Sequence, residues 1–102
     1  MPLDQKTGEK ITVEEGIILV KNFTAKFPNE IKALYMGADN IRVLLEQDDC
    51  MGIRIYNGYD DKESRINLFM VGVGSNGNDI TTIVMDRMKP CPPYCDPTTP
   101  FM

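Results

Sequence analysis

The chain has no histidine and no tryptophan. Without imidazole it lacks the commonest general base and the commonest metal ligand, and Ser-His or Cys-His nucleophilic systems are excluded within one chain. This absence removes more enzyme classes than any motif present supports. Nor does any apolar run approach the roughly 18 residues of a membrane span, so no transmembrane segment is expected. Residues 1–10 are polar and contain no apolar signal-like stretch, which points to the cytoplasm. Positive charge is in deficit: 11 Lys and Arg against 15 Asp and Glu give a net charge of −4. That balance disfavours phosphate backbones. Lys21, Lys26 and Lys32 are surrounded by Glu14, Glu15 and Glu30 and read as a solvated helix face. Neither nucleic acid nor membrane is an expected partner.

What is present fits one small domain. A chain of 102 residues buries roughly two-thirds of the surface that its unfolded form exposes, enough for a modest core without obligatory staples. Residues 1–10 read as a flexible lead, 11–89 as the domain and 90–102 as a tail rich in proline and cysteine. Thr12-Val13-Glu14-Glu15 has the spacing of a capping box, which starts a helix. Val13, Ile17, Val20, Phe23 and Phe27 recur at intervals of three and four and form one apolar stripe. Pro28 ends the element, so a helix is expected over 13–27. Residues 29–36 are ambiguous. Asp39 is placed to cap a second helix over 40–47, with Ile41, Leu44 and Leu45 facing inward.

From Cys50 the period changes to two. Met51, Ile53 and Ile55 fall on one side of a strand, Arg54 and Tyr56 on the other. Residues 58–64 supply a turn, 66–73 a nearly continuous apolar strand, and the run from Gly74 to Asp79 a second turn, in which Asn76-Gly77 tolerates positive φ. A third strand is expected over 80–85, with a short helix over 82–89 as the competing reading. The expected class is therefore α+β: two N-terminal helices packed on a three-stranded antiparallel meander. The first helix covers one sheet face; Arg54, Tyr56, Phe69 and Val71 populate the other, which is either a docking surface or is covered by the second helix or the tail.

Three stretches carry a resemblance: Cys50-Met51-Gly52-Ile53-Arg54-Ile55-Tyr56-Asn57-Gly58, then Val71-Gly72-Val73 with Asn76-Gly77-Asn78-Asp79, then Cys91-Pro92-Pro93-Tyr94-Cys95. The chain resembles a group of small bacterial proteins of unknown function that share a C-x-G-I-R-I-Y strand, a V-G-V…N-G-N-D turn and a terminal C-P-P-x-C. The resemblance implies no activity, substrate or cofactor; it does imply that the three cysteines belong to one site.

The cysteines admit three readings. Cys50, Cys91 and Cys95, with an oxygen ligand such as Asp96, form a zinc site, although such sites usually come as two close pairs or include histidine. Alternatively Cys91 and Cys95 form a redox disulfide, although three residues separate them where redox motifs have two. Or the thiols are structural, as buried apolar groups or as a disulfide pinning the tail, which would be unusual in a reducing cytoplasm. The prolines of the tail favour extended polyproline geometry, suited to presentation to a partner with Phe101 as an apolar anchor; the alternative is a strapped or disordered C-terminus.

Asn76-Gly77-Asn78-Asp79 lacks the acidic first position and distal glutamate of a calcium loop and reads as a hairpin turn. Asp48, Asp49, Asp60 and Asp61 read as a solvated acidic rim rather than an acid–base pair. Gly72 and Gly74 do not form a phosphate loop, since no helix start follows them. The functional expectation is a small non-enzymatic protein-binding module: an accessory or neutralising partner, or a subunit of a larger assembly. Its contacts are drawn from Arg54, Tyr56, Phe69, Tyr94 and Phe101, because Arg and Tyr dominate binding hot spots. The alternative is a metal- or redox-active protein using Cys50, Cys91 and Cys95.

Overall fold

The computed structural model describes residues 2–102; Met1, the first residue of the expected lead, lies outside the described residues. In chain order the elements are α1 (Val13–Lys26), β1 (Ala33–Tyr35), α2 (Ala38–Leu45), β2 (Cys50–Tyr56), β3 (Tyr59–Asp60), β4 (Arg65–Ile66), β5 (Phe69–Gly74), β6 (Asp79–Met85) and β7 (Lys89–Cys91).

α1 starts at the capping box. Thr12 Oγ1 accepts from the Glu15 amide at 3.1 Å, and the Thr12 amide donates to Glu15 Oε1 at 3.5 Å. Two of the four orphan amides of the first turn are satisfied in this way. The helix ends at Lys26, where the Phe27 amide closes the last turn on the Phe23 carbonyl at 2.8 Å, and Pro28 forbids continuation.

The expected fold is corrected in three respects. First, the helices are not consecutive: β1 separates them and pairs antiparallel with β7, so the start of the proline tail becomes a strand. Second, the strands form three sheets rather than one meander: β1-β7, β2-β5-β6 and β3-β4. The apolar run over 66–73 is divided at Asn67. Its amide donates to the Gly58 carbonyl at 2.8 Å and its side chain reaches Asp86 Oδ1 at 3.1 Å, turning the chain out of the β3-β4 hairpin before β5 begins.

Third, the helix on the three-stranded sheet is α2. Leu44, fully buried, forms the centre of the core with Met70 and Met88, and Leu34, Ile41, Ile53, Ile83 and Met85 pack around it. Gly72 lets the helix approach. A Cβ there would stand 2.7 Å from Gln47 Nε2 and 3.0 Å from Cys50 Sγ. With that face filled, the stripe of α1 finds another cover. No α1 residue is buried, and Ile17, Val20 and Thr24 line a 310 Å³ groove with Pro100, Phe101 and Met102 of the tail.

Two details of α2 also differ from expectation. Its N-cap is Gly37, without a side-chain cap, because the helix begins two residues early and carries Asp39 into its first turn, where it pairs with Arg42. Leu45 then falls on the outer face, 46% exposed.

Candidate functional site

β2 and β5 pair in antiparallel register, with Arg54 opposite Val71 and Tyr56 opposite Phe69; β5 and β6 place Asp79 opposite Val73. Arg54, Tyr56 and Asp79 therefore emerge on one face of the sheet, the face away from α2. Arg54 Nη1 donates to Asp79 Oδ1, and the Tyr56 hydroxyl donates to Asp79 Oδ2. Arg54 also reaches the Gly77 carbonyl at 3.4 Å. Tyr56 stacks on Phe69 with ring centroids 5.1 Å apart.

This clasp ties β2 to β6 across β5, over Val71 and Val73, which are buried. The Tyr56 hydrogen bond, assisted by the Arg54 guanidinium, holds the Asp79 carboxyl below the usual carboxylate range. The same hydrogen bond, with the carboxylate charge, raises the Tyr56 phenol above its ordinary value. The three side chains expected to present themselves to a partner thus spend their polar groups and ring faces on one another and on Asp79. Asp79 was legible only as the end of a turn.

Cys91 and Cys95 are joined in a disulfide, and Cys50 is free. Cys50 Sγ lies 3.2 Å from the carbonyl of Gly52, two residues on, under the α2–sheet contact. Among the described residues no group of three or more Cys, Asp or Glu is disposed to hold a metal ion, so the structure does not assemble Cys50, Cys91 and Cys95 into one site. Asp96, the candidate oxygen ligand, instead accepts from Thr98 Oγ1 at 2.7 Å and the Thr98 amide at 2.9 Å. Those bonds hold its carboxyl below the usual range.

The tail folds back from the disulfide until Met102 Sδ lies 4.0 Å from Cys91 Sγ. Phe101 sits on Gly16, whose missing side chain makes the room: a Cβ there would come within 2.9 Å of the ring. Tyr94 is 61% exposed, with Lys89 Nζ 5.4 Å from its ring centroid. It stands at the mouth of a 390 Å³ cleft lined by Asp60, Glu63, Arg65, Asp86 and Arg87 among others.

The acidic rim is dispersed. Asp49 accepts from Ser75, amide and hydroxyl, while Asp60 accepts from the amides of Lys62 and Glu63.

The apolar surface that remains outward lies elsewhere. Ile18 and Leu19 on α1 are 57% and 60% exposed. They lie off the stripe of Val13, Ile17 and Val20, and their signal in the sequence was the unbroken apolar run from Ile17 to Val20, which wraps around a full turn. Comparison with protein-family models, with curated proteins and with solved structures gives no match. No helix among the described residues is long and apolar enough to cross a membrane.

Proposed function

We propose that the protein is a non-enzymatic binding module that docks to another protein through the outer face of α1. The observation that carries this reading is the surface left uncovered. The chain exposes 7769 Å², whereas a monomer of its mass exposes about 5,800 Å². The excess, about 2,000 Å², exceeds the ~800 Å² that one partner contributes to a standard interface.

α1 is the element to which this applies most directly. It is 14 residues long with none buried, and it carries Ile18 and Leu19 side by side in water. Glu15 and Asn22 flank them on the same face, giving the apolar centre and polar rim of a helix that lies in a partner's groove. The tail covers the opposite stripe and fixes the helix to the domain, so the binding face is presented rather than folded inward.

The test is a photo-reactive residue at position 19, with a second at Lys62 as a control, introduced into the chain in its native cells. The expected result is one discrete protein adduct from position 19 and none from position 62. Equal labelling from both positions, or no adduct from position 19, refutes the reading.

A further inference from the structure

β2 is an edge of the β2-β5-β6 sheet. Among the described residues no backbone hydrogen bond reaches the outer side of the strand over 51–56. Natural proteins protect such edges with lysine, proline, bulges or a covering segment. The other edge, β6, has such a device: Val84 pairs with Val71 and Ile80 with Gly72, so Thr81, Thr82 and Ile83 have no partner between adjacent positions of β5. β2 is irregular only near Cys50, and Gly52 through Tyr56 pair one to one with Val73 through Phe69. It has no lysine or proline, and its single charge, Arg54, is folded back onto Asp79. Ile55 at this edge is 57% exposed.

The lead stands across a 390 Å³ groove from this edge, with Leu3, Asp4, Gln5 and Thr7 facing Met51, Ile53 and Ile55. Its hydrogen bonds are local: the Lys6 amide to Asp4 Oδ1 at 2.7 Å and the Asp4 amide to Thr7 Oγ1 at 3.0 Å. Among the described residues, a second strand entering the groove breaks no hydrogen bond between lead and sheet.

We propose that this strand is β2 of a second copy, antiparallel about a two-fold axis at Ile53, joining two three-stranded sheets into one of six. The register follows from the side chains. A one-residue slip sets the α2 face of one sheet against the clasp face of the other. An axis at Arg54 places two guanidiniums directly opposite, which is destabilising, and an axis at Gly52 runs the pairing into the irregularity near Cys50. The axis at Ile53 sets Arg54 against Gly52 and Ile55 against Met51. Within the regular stretch from Gly52 to Tyr56 no like charges meet. Space is also available at Gly52, where a Cβ would find nothing within 4 Å. The pairing is isologous and closed, so it stops at two copies. It uses a different surface from α1, and either proposal stands if the other fails.

Sedimentation of the full chain across micromolar to millimolar concentration tests the pairing, together with isotope-mixed NMR of equal labelled and unlabelled chains. The expected results are a species of twice the 11.5 kDa chain mass and intermolecular contacts between the methyls of Ile55 and Met51. Ile55→Glu, at an exposed position, retains the melting midpoint of the dilute monomer and weakens the dimer at least about tenfold, whereas Leu19→Asp leaves it intact. A monomer at every concentration overturns the proposal and leaves the edge to a strand of another protein. A dimer indifferent to Ile55→Glu, or one without the Ile55–Met51 contact, also overturns it.

Discussion

The docking of α2 on the sheet depends on one missing side chain, and Gly72→Ala is the perturbation that tests it. The added Cβ would lie 2.7 Å from Gln47 Nε2, 3.0 Å from Cys50 Sγ and 3.4 Å from the Leu44 carbonyl. The Gln47 amide must move, and moving it breaks the 3.0 Å bond that Nε2 donates to that carbonyl. Overpacking of this kind costs about 1–3 kcal/mol, and the lost hydrogen bond about 1 kcal/mol. Alanine returns roughly 0.5–1 kcal/mol by restricting the unfolded chain. The net expectation is a loss of about 2 kcal/mol, or roughly 10 °C in melting midpoint for a chain of this size.

The sharper test is a double-mutant cycle by thermal or denaturant unfolding. In a Gln47→Ala background the nearest obstacle is gone and its bond already lost, so adding Gly72→Ala should cost at least about 1 kcal/mol less than in the parent. Additivity of the two substitutions within about 0.5 kcal/mol would refute the close approach as the reason for Gly72.

Three further outcomes are expected. Asp79 has a lowered pKa in the fold, so its contribution to stability is present above the ordinary carboxylate range and is lost as pH falls through the depressed value. Asp79→Asn should therefore flatten the acid limb of melting midpoint against pH, and a limb unchanged by the substitution refutes the clasp. The raised Tyr56 phenol should titrate, by ultraviolet absorbance, above the ordinary tyrosine range, and Asp79→Asn should bring it back. Reducing the Cys91–Cys95 bridge, whose partners are four residues apart, should cost about 2 kcal/mol by loop-closure entropy. Hydrogen exchange should show that loss in α1 and the tail before the β2-β5-β6 sheet; loss starting in the sheet contradicts the tail's place as cover for α1.

Local features of the fold were the legible ones. The Thr12–Glu15 box is a short-range pattern, and so are the Pro28 stop and the alternation from Cys50 to Tyr56; their physics lies within a few residues. Partnership between elements was not legible. The stripe of α1 announced an apolar face without naming its cover, and a helix and a sheet are each other's commonest partners. What decided otherwise was Gly72, which admits α2 so closely that the place is taken, and Gly16, which admits Phe101. Both are statements about missing side chains, and in sequence a glycine that makes room looks like one that makes a turn. The site suffered from the same blindness. Arg54 and Tyr56 carry the composition of a hot spot, but their partner Asp79 lies more than twenty residues away, behind a turn signal that accounted for it completely. β1 and β7 are three residues each, too short for periodicity to register.

The distribution of satisfied groups argues for where the molecule meets others. A three-stranded sheet offers two faces and two edges. Here α2 fills one face, the Arg54–Tyr56–Asp79 clasp closes the second, and the bulge of β6 spoils one edge as a template. Among the described residues of this sheet, the regular backbone row left open is that of β2. α1 was excluded from the sheet by α2 and compensates on one side with the tail, which leaves its other side apolar and wet. The two open surfaces lie on elements that do not pack on one another, so the two proposed contacts would not compete.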